Sequence, residues 1–247
     1  MRVSVITACF NSAATIADTL RSVACQTWAD IEHIVIDGAS TDATLTILNQ
    51  HKAQLCKLIS EPDKGVYEAM NKGLALATGE VIAFLNADDV YKDDCVVERV
   101  VQCMQKEHLD ALYGNVEFFH PGVPLRVVRI YDSGQFNPAR LGWGWMPAHP
   151  ALFVRHEVFD QYGVFNESYR IGGDFEFVAR IFKSGNLLHK HMPEVLVRMQ
   201  TGGLSTSGLK ASYRLNEEVI RACRENGIHT NWLMVLSKYF FKIRELQ

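Results

Sequence analysis

Several kinds of segment are missing from this chain of 247 residues, and each absence excludes a class of protein. No run of about 18 apolar residues occurs, so no segment reads as a membrane-spanning helix. The opening MRVSVITACF is too short and too strand-like for a secretory signal and reads as the first strand of the fold. There is no basic excess. Lys+Arg total 25 against 28 Asp+Glu, a net charge of −3, whereas a nucleic-acid binder carries a positive balance. The six cysteines, Cys9, Cys25, Cys56, Cys95, Cys103 and Cys223, contain no CxxC pair. Zinc spacing and a disulfide framework are therefore unsupported. The thiols are expected to be reduced, packed as small apolar residues, in a cytoplasmic protein. No GxGxxG follows the first strand, and no P-loop or GxSxG elbow occurs. His156-Glu157 lacks the second His of a zinc-protease helix. The sequon at Asn166-Glu167-Ser168 has no meaning in a cytoplasmic chain. Repeats and low-complexity linkers are also absent.

What remains is ordinary globular composition, 48% hydrophobic and 21% charged, at a length that fits one large domain or a domain with a small appendage. VSVITAC (3–9), EHIVI (32–36), a short run near 56–59 and VIAFL (81–85) read as buried strands. Helices are expected between them. The first is capped by Asn11 or Ser12, with Ile16, Leu20 and Val23 inward. The second is capped by Thr41 or Asp42, with Leu45 and Leu48 inward. The third opens at Gly65 and carries Tyr67, Met70 and Leu74, and a fourth covers 94–106. This rhythm predicts an α/β fold, a mostly parallel sheet with helices on both faces. After about residue 110 the rhythm changes. Two strands with a turn at Pro121-Gly122 fill 110–131. An irregular Gly/Pro/Trp-rich stretch follows, then a helix at 174–184, short strands within 187–198, a loop at Thr201–Gly208, and helices at 209–226 and 231–245.

In open α/β sheets, ligands sit at the carboxyl ends of the strands. Four such ends carry polar residues here: Asn11, Asp37, Asp63 and Asn86 to Asp89. A carboxylate beyond a strand can accept hydrogen bonds from a base or ribose, and Asp88-Asp89 can hold a divalent cation through oxygen. Lys64 can neutralise phosphate and Phe10 can stack on a nucleobase. Together these describe a site for a nucleoside diphosphate with a metal ion.

The stretches VSVITACFNS, IVIDGASTDAT, SEPDKGVYEAMNKGLALATGEVIAFLNADD and GGDFEF resemble the family 2 glycosyltransferases with the GT-A fold, in particular the short bacterial enzymes of surface-polysaccharide assembly. The likeness covers roughly residues 1–205. It implies a GT-A domain over 1–208, with 1–110 as the nucleotide-sugar half and 111–208 as the acceptor half, followed by a helical extension at 209–247. It implies that Thr7, Phe10 and Asn11 line the nucleotide pocket, that Asp37 meets the base or ribose, that Asp63 and Lys64 lie near the base or diphosphate, and that Asn71 lies near the donor. Asn86-Ala87-Asp88 stands where the family has its DxD motif. Asp88 is then the metal ligand for Mn²⁺ or Mg²⁺, with Asp89 assisting, and Asn86 replaces the usual first Asp with a ribose contact.

The implied reaction is inverting, metal-dependent transfer, of the hexosyltransferase class. A sugar passes from a UDP- or GDP-linked donor to a hydroxyl of a glycan or lipid-linked acceptor. The metal offsets charge on the leaving diphosphate and a carboxylate takes the acceptor proton. The base matches Asp174 in Gly172-Gly173-Asp174-Phe175-Glu176. Glu176 is held in reserve, and the paired glycines are expected to let the acceptor approach closely. Further candidates are His149 on the acceptor side, His191 as a metal or diphosphate contact, Trp143 and Trp145 for sugar stacking, and Thr201–Gly208 as a lid. Residues 232–246, apolar with Lys238, Lys242 and Arg244 interleaved, suit a peripheral membrane contact, packing on the domain, or a homodimer seam. No nucleic-acid partner is expected. A different class is a catalytically silent nucleotide-sugar-binding partner of another transferase, which the Asn86 departure motivates. A nucleotidyltransferase would need a Gly-rich basic loop that ACFNSAA lacks.

Overall fold

The computed structural model describes residues 1–120, 123–202 and 208–242. The expected turn at Pro121-Gly122, the lid candidate at 203–207 and the side chains of Lys238, Lys242 and Arg244 lie outside the described residues. Strands β1 (Val3–Cys9), β2 (Ile31–Asp37), β3 (Lys57–Ser60) and β4 (Val81–Phe84) form a parallel block. They are linked by α1 (Ile16–Ala24), α2 (Thr44–Gln50) and α3 (Val66–Leu76). Side chains alternate across a strand, and the alternation divides the core. Ile6, Ile34, Ile36, Ile82 and Phe84 pack with Met70 and Leu74 of α3. Val3, Val5, Val81 and Ala83 pack with Val97, Val100 and Met104 of α4 (Val96–Glu107). Both faces are covered, so these strands read as unbroken apolar runs.

The second half comprises β5 (Asp89–Tyr91), β6 (Ala111–His120), β7 (Val123–Tyr131), β8 (Leu152–Arg155) and β9 (His189–Gln200). Its helices are α5 (His156–Tyr162), α6 (Gly173–Phe182), α7 (Leu209–Glu225) and α8 (Trp232–Lys242). The sheet runs β3-β2-β1-β4-β8-β6-β9-β5, with β7 on β6. Beyond β4 the ladders to β8, and from β8 to β6, are antiparallel.

Several elements differ from the sequence-based expectation, β5 among them. β8 and α5 fall where no element is expected, because a four-residue apolar run becomes a strand only through its neighbours on both sides. The short strands within 187–198 are one strand, β9. Its ladder with β6 changes register between Tyr113 and Asn115, and this irregularity accommodates Pro193. Neither Asn11 nor Ser12 caps α1 with its side chain. The helix is preceded by Thr15, and the Ser12 carbonyl accepts the Thr15 and Ile16 N–H groups. Asp42 does serve the start of α2, its carboxylate accepting the Thr44 N–H at 2.9 Å and that of Ala13 at 3.1 Å. Of the cysteines, Cys9 and Cys223 are buried as expected, whereas Cys25, Cys56 and Cys95 are exposed.

The C-terminal helices pack on the rest of the chain. Val219, Ile220, Ala222, Cys223 and Val235 share a core with Phe175 and Phe182 of α6. Leu233 and Leu236 face outward. No helix among the described residues is long and apolar enough to cross a membrane.

Candidate active site

Parallel register brings the carboxyl ends of β1, β2 and β4 side by side, with Cys9 opposite Asp37 and Ile6 opposite Phe84. Gly38, just past β2, has no room for a side chain. A Cβ there would lie 2.5 Å from Asp63 Oδ2 and 3.5 Å from the Phe10 ring. Phe10 and Asp63 therefore converge on one stretch of bare backbone. The Phe10 ring is 60% exposed, an unusual fate for an aromatic residue at the end of a buried strand. Asp63 accepts the Gly65 N–H at 2.9 Å. Lys64 is exposed beside them, its main chain held by Glu68 and by Arg170.

Other expected nucleotide contacts are engaged with protein. Asp37 is fully buried. Its carboxylate accepts the Ser40 hydroxyl and N–H and the Ser60 hydroxyl, the last at 2.6 Å. Asn11 sits at φ 49° and its side-chain oxygen accepts the Thr41 N–H at 2.9 Å. Thr7 is fully buried against His33, 3.0 Å from Nε2. Burial pushes that imidazole down to about 3. Asn71 clamps the loop before α6, donating to the Phe165 carbonyl and Glu167 and accepting the Phe165 N–H. These four side chains are engaged with protein partners, whereas Phe10 and Lys64 are exposed and Asp63 is half-buried.

Asn86, Ala87, Asp88 and Asp89 follow β4. Asn86 donates to Asp89 Oδ2 at 2.8 Å. That bond, to a carboxylate within the same turn, occupies the amide expected on a ribose. Thr19 of α1 donates to the Asp89 carbonyl at 2.8 Å and holds the turn against the sheet. Burial raises the Asp88 carboxyl. Burial, and then the Asp88 charge, raise Asp89 well above the carboxylate range. Two adjacent carboxylates on one turn suit an oxygen-liganded divalent ion. Among the described residues no group of three His, Cys, Asp or Glu forms a closed cage. An ion at Asp88 and Asp89 would therefore complete its coordination with water and substrate oxygens, the habit of Mg²⁺ and similar ions.

Asp174 stands in the first turn of α6. Its Oδ1 accepts the Phe175 N–H at 2.7 Å and lies 3.5 Å from the Tyr67 hydroxyl. Oδ2 has no partner among the described residues. Burial, chiefly, pushes the carboxyl up to about 6. Glu176 has a different role. It is buried and paired with Arg180 at 2.9 Å, and it accepts from Asn226, so its charge is used inside the fold. The paired glycines are also explained by packing rather than by acceptor approach. A Cβ on Gly173 would lie 2.7 Å from the Tyr67 ring, and one on Gly172 would lie 3.1 Å from Cβ of Glu218.

His149 is buried and stacks on Phe84 at 5.5 Å, with burial holding its imidazole down to about 4. His191 bonds Asn115 at 2.8 Å. It pairs with Tyr113, far along β9 from Met199, the partner of Asp89. That register separates His191 from the acidic pair. Trp145 is buried and Trp143 is 42% exposed, so only Trp143 offers an indole face. Sequence reading missed Thr19, Tyr67, Arg170 and Glu218 as parts of this architecture. Glu218 left one signal, an acid on the apolar stripe that holds Leu215, Val219 and Ala222.

Residues 4–163 match the family model described as Glycosyl transferase family 2. The PGL/p-HBAD biosynthesis glycosyltransferase of Mycobacterium bovis (strain BCG) is 34% identical over 209 residues, which cover 83% of this chain and 79% of that protein. Two solved structures share the fold. Staphylococcus aureus TarS 1-349 in complex with UDP-GlcNAc has a TM-score of 0.69 at 18% identity, covering 90% of this chain and 66% of that one. The mannosyltransferase PcManGT from Pyrobaculum calidifontis, in complex with GDP-Man and Mn²⁺, has a TM-score of 0.66 at 20% identity, covering 91% and 63%.

Proposed function

The chain belongs to the family 2 glycosyltransferases, and from that premise we propose that it transfers a sugar, with inversion, from a UDP- or GDP-linked donor to a hydroxyl of a glycan or lipid-linked acceptor in bacterial surface-polysaccharide assembly. The observation that carries this reading is Asp174. Its Oδ1 accepts the Phe175 N–H, and burial raises its pKa to about 6, suited to taking a proton near neutral pH. In this reading Phe10 stacks on the base, Asp63 accepts from it, and Lys64 meets the diphosphate. Asp37 and Asn11 hold the base loop in shape, and Asn86 orients the acidic turn. Asp88 and Asp89 hold Mn²⁺ or Mg²⁺, which would offset charge on the departing diphosphate. Asp174 removes the acceptor proton as the new glycosidic bond forms and the bond from the sugar to diphosphate breaks. The nucleotide-sugars bound to the fold neighbours support the donor class, and the PGL/p-HBAD biosynthesis glycosyltransferase is a relative that acts in a biosynthetic pathway. The exposed Leu233 and Leu236 on α8 support a contact of 209–247 with a membrane surface or a second copy.

The test is release of nucleoside diphosphate from a panel of UDP- and GDP-sugars with crude lipid acceptor, with and without Mn²⁺ or Mg²⁺. Turnover of one donor that needs the cation and is lost in both Asp88→Ala and Asp174→Ala supports the reading. Donor binding without release, unchanged in both variants, would identify a silent nucleotide-sugar-binding partner instead.

A further inference from the structure

The loop from Arg170 to Gly172, immediately before α6, carries three consecutive N–H groups that all point at one side chain. Glu218 of α7 accepts them at 3.1 Å from Arg170, 2.9 Å from Ile171 and 2.7 Å from Gly172. The carboxylate is 8% exposed, and Arg214, one turn back, lies 3.5 Å from it. Gly172 is what admits it, since any side chain there would press on Glu218. The opposite side of the loop is tied to the start of α3. The Tyr67 hydroxyl donates to the Ile171 carbonyl at 2.5 Å, and the Arg170 guanidinium donates to the Lys64 carbonyl at 2.7 Å. The loop is thus held between α7, which takes its N–H groups, and α3, which takes its carbonyl and its arginine. Asp174 follows two residues later.

We propose that Glu218, from the C-terminal segment, is a positioning residue for glycosyl transfer, which sets the depth and direction of the Asp174 carboxylate by gathering the N–H groups of 170–172. This rests on the reading of Asp174 as the base. A charge-assisted bond to backbone N–H is stronger than a neutral one, and three on one buried carboxylate leave the loop little freedom. Of the side chains assigned to the donor and metal, Phe10, Asp63, Asp88 and Asp89 stand on other elements, and Lys64 meets the loop through its main-chain carbonyl, which accepts from Arg170. Losing Glu218 should therefore affect the chemical step and spare donor binding. A displacement of about 1 Å in a catalytic group can cost roughly 100-fold in rate. Among the described residues, the titratable groups acting on Asp174 include Tyr67 from α3 and Glu218 from α7, so the charge of Glu218 also acts on the base.

The experiment compares Glu218→Gln, Glu218→Ala and Asp174→Ala in the full chain. It measures kcat, donor KM, calorimetric affinity for the nucleoside diphosphate with Mn²⁺, and the pH profile of kcat/KM. The expected result is a kcat lower by about 10–100-fold in Glu218→Gln, nucleotide affinity within about twofold of the parent, and an acidic limb moved to lower pH. Glu218→Ala should behave in the same way with a larger loss. Full activity with an unmoved limb in Glu218→Gln, beside an inactive Asp174→Ala, would overturn the positioning role and leave the base assignment standing. Loss of nucleotide affinity in step with kcat, with a lowered melting temperature, would also overturn it, reducing Glu218 to a folding contact. An active Asp174→Ala would overturn the base assignment and this inference together.

Discussion

Asp37 and the Asp88-Asp89 pair stand beyond strands that flank β1 on opposite sides, yet the fold treats their charges in opposite ways. Asp37 is surrounded by donors from Ser40 and Ser60. Asp89 receives Asn86 and the Gln200 N–H against full burial and a second carboxylate, and Asp88 gains only its own N–H. The first region is complete without a ligand. The second gathers two adjacent carboxylates whose values burial raises. A satisfied buried acid stabilises a loop, whereas unsatisfied acids are a cost retained for function.

The largest expected effect is on activity at the second region. Asp88→Ala should lower turnover by about 10³-fold or more, and Asp89→Asn should do likewise while raising the melting temperature. A variant that loses both activity and stability would break the comparison. The reverse holds for Asp37→Ala. It strands buried hydroxyls and should cost about 2–4 kcal/mol in denaturant unfolding, with a weaker effect on kcat than on folding.

The pH dependence sharpens the contrast further. As the proposed base, Asp174 would have to be ionised to act, so kcat/KM should climb tenfold per unit below about pH 6 and level off above it. Asp88, Asp89 and Asp174 have folded-state values raised above those of the unfolded chain. Their protonated forms favour the fold, so their contribution to stability is present at acid pH and lost as pH rises through the folded values. Glu32 has the opposite sign. It is buried and accepts from Ser4, Thr78 and Gly79, bonds that together outweigh the larger single effect of burial and lower its value. Its contribution is present above the unfolded value and lost as pH falls through the folded one. Urea unfolding of Glu32→Gln and Asp89→Asn from pH 4 to 8 should show slopes altered in opposite directions. The smallest effect is expected for Thr19→Val, about 1 kcal/mol, since it removes one hydroxyl bond from the Asp89 carbonyl. Donor KM in that variant reports whether the turn must be held to bind.

Much of the first half was legible beforehand. β1, β2 and β4 are near-continuous apolar runs ended by polar residues, and a parallel sheet leaves that signature because both its faces are covered. Phe10, Asp63, Asp88 and Asp174 were nominated from strand ends and motif positions; Phe10 is exposed, Asp63 is half-buried, and burial raises the carboxyls of Asp88 and Asp174. Asp37, Thr7 and Asn71 were nominated on the same grounds and lie against protein partners. One sequence does not reveal whether a buried acid meets a serine from its own loop or a ligand. β8 was missed because four apolar residues carry no period, and β9 because its charges and proline mask a strand whose partner tolerates a shift in register.

By itself, then, the amino-acid order determined the α/β alternation, the parallel donor half and the family, because these rest on local periodicity and contiguous motifs. The partners of each carboxylate were decided only by tertiary structure. Glu176 meets Asn226, and Glu218 meets the 170–172 backbone. Hydrogen bonds form between groups brought within about 3 Å, and residues 46 or more positions apart reach that distance only after the chain has folded.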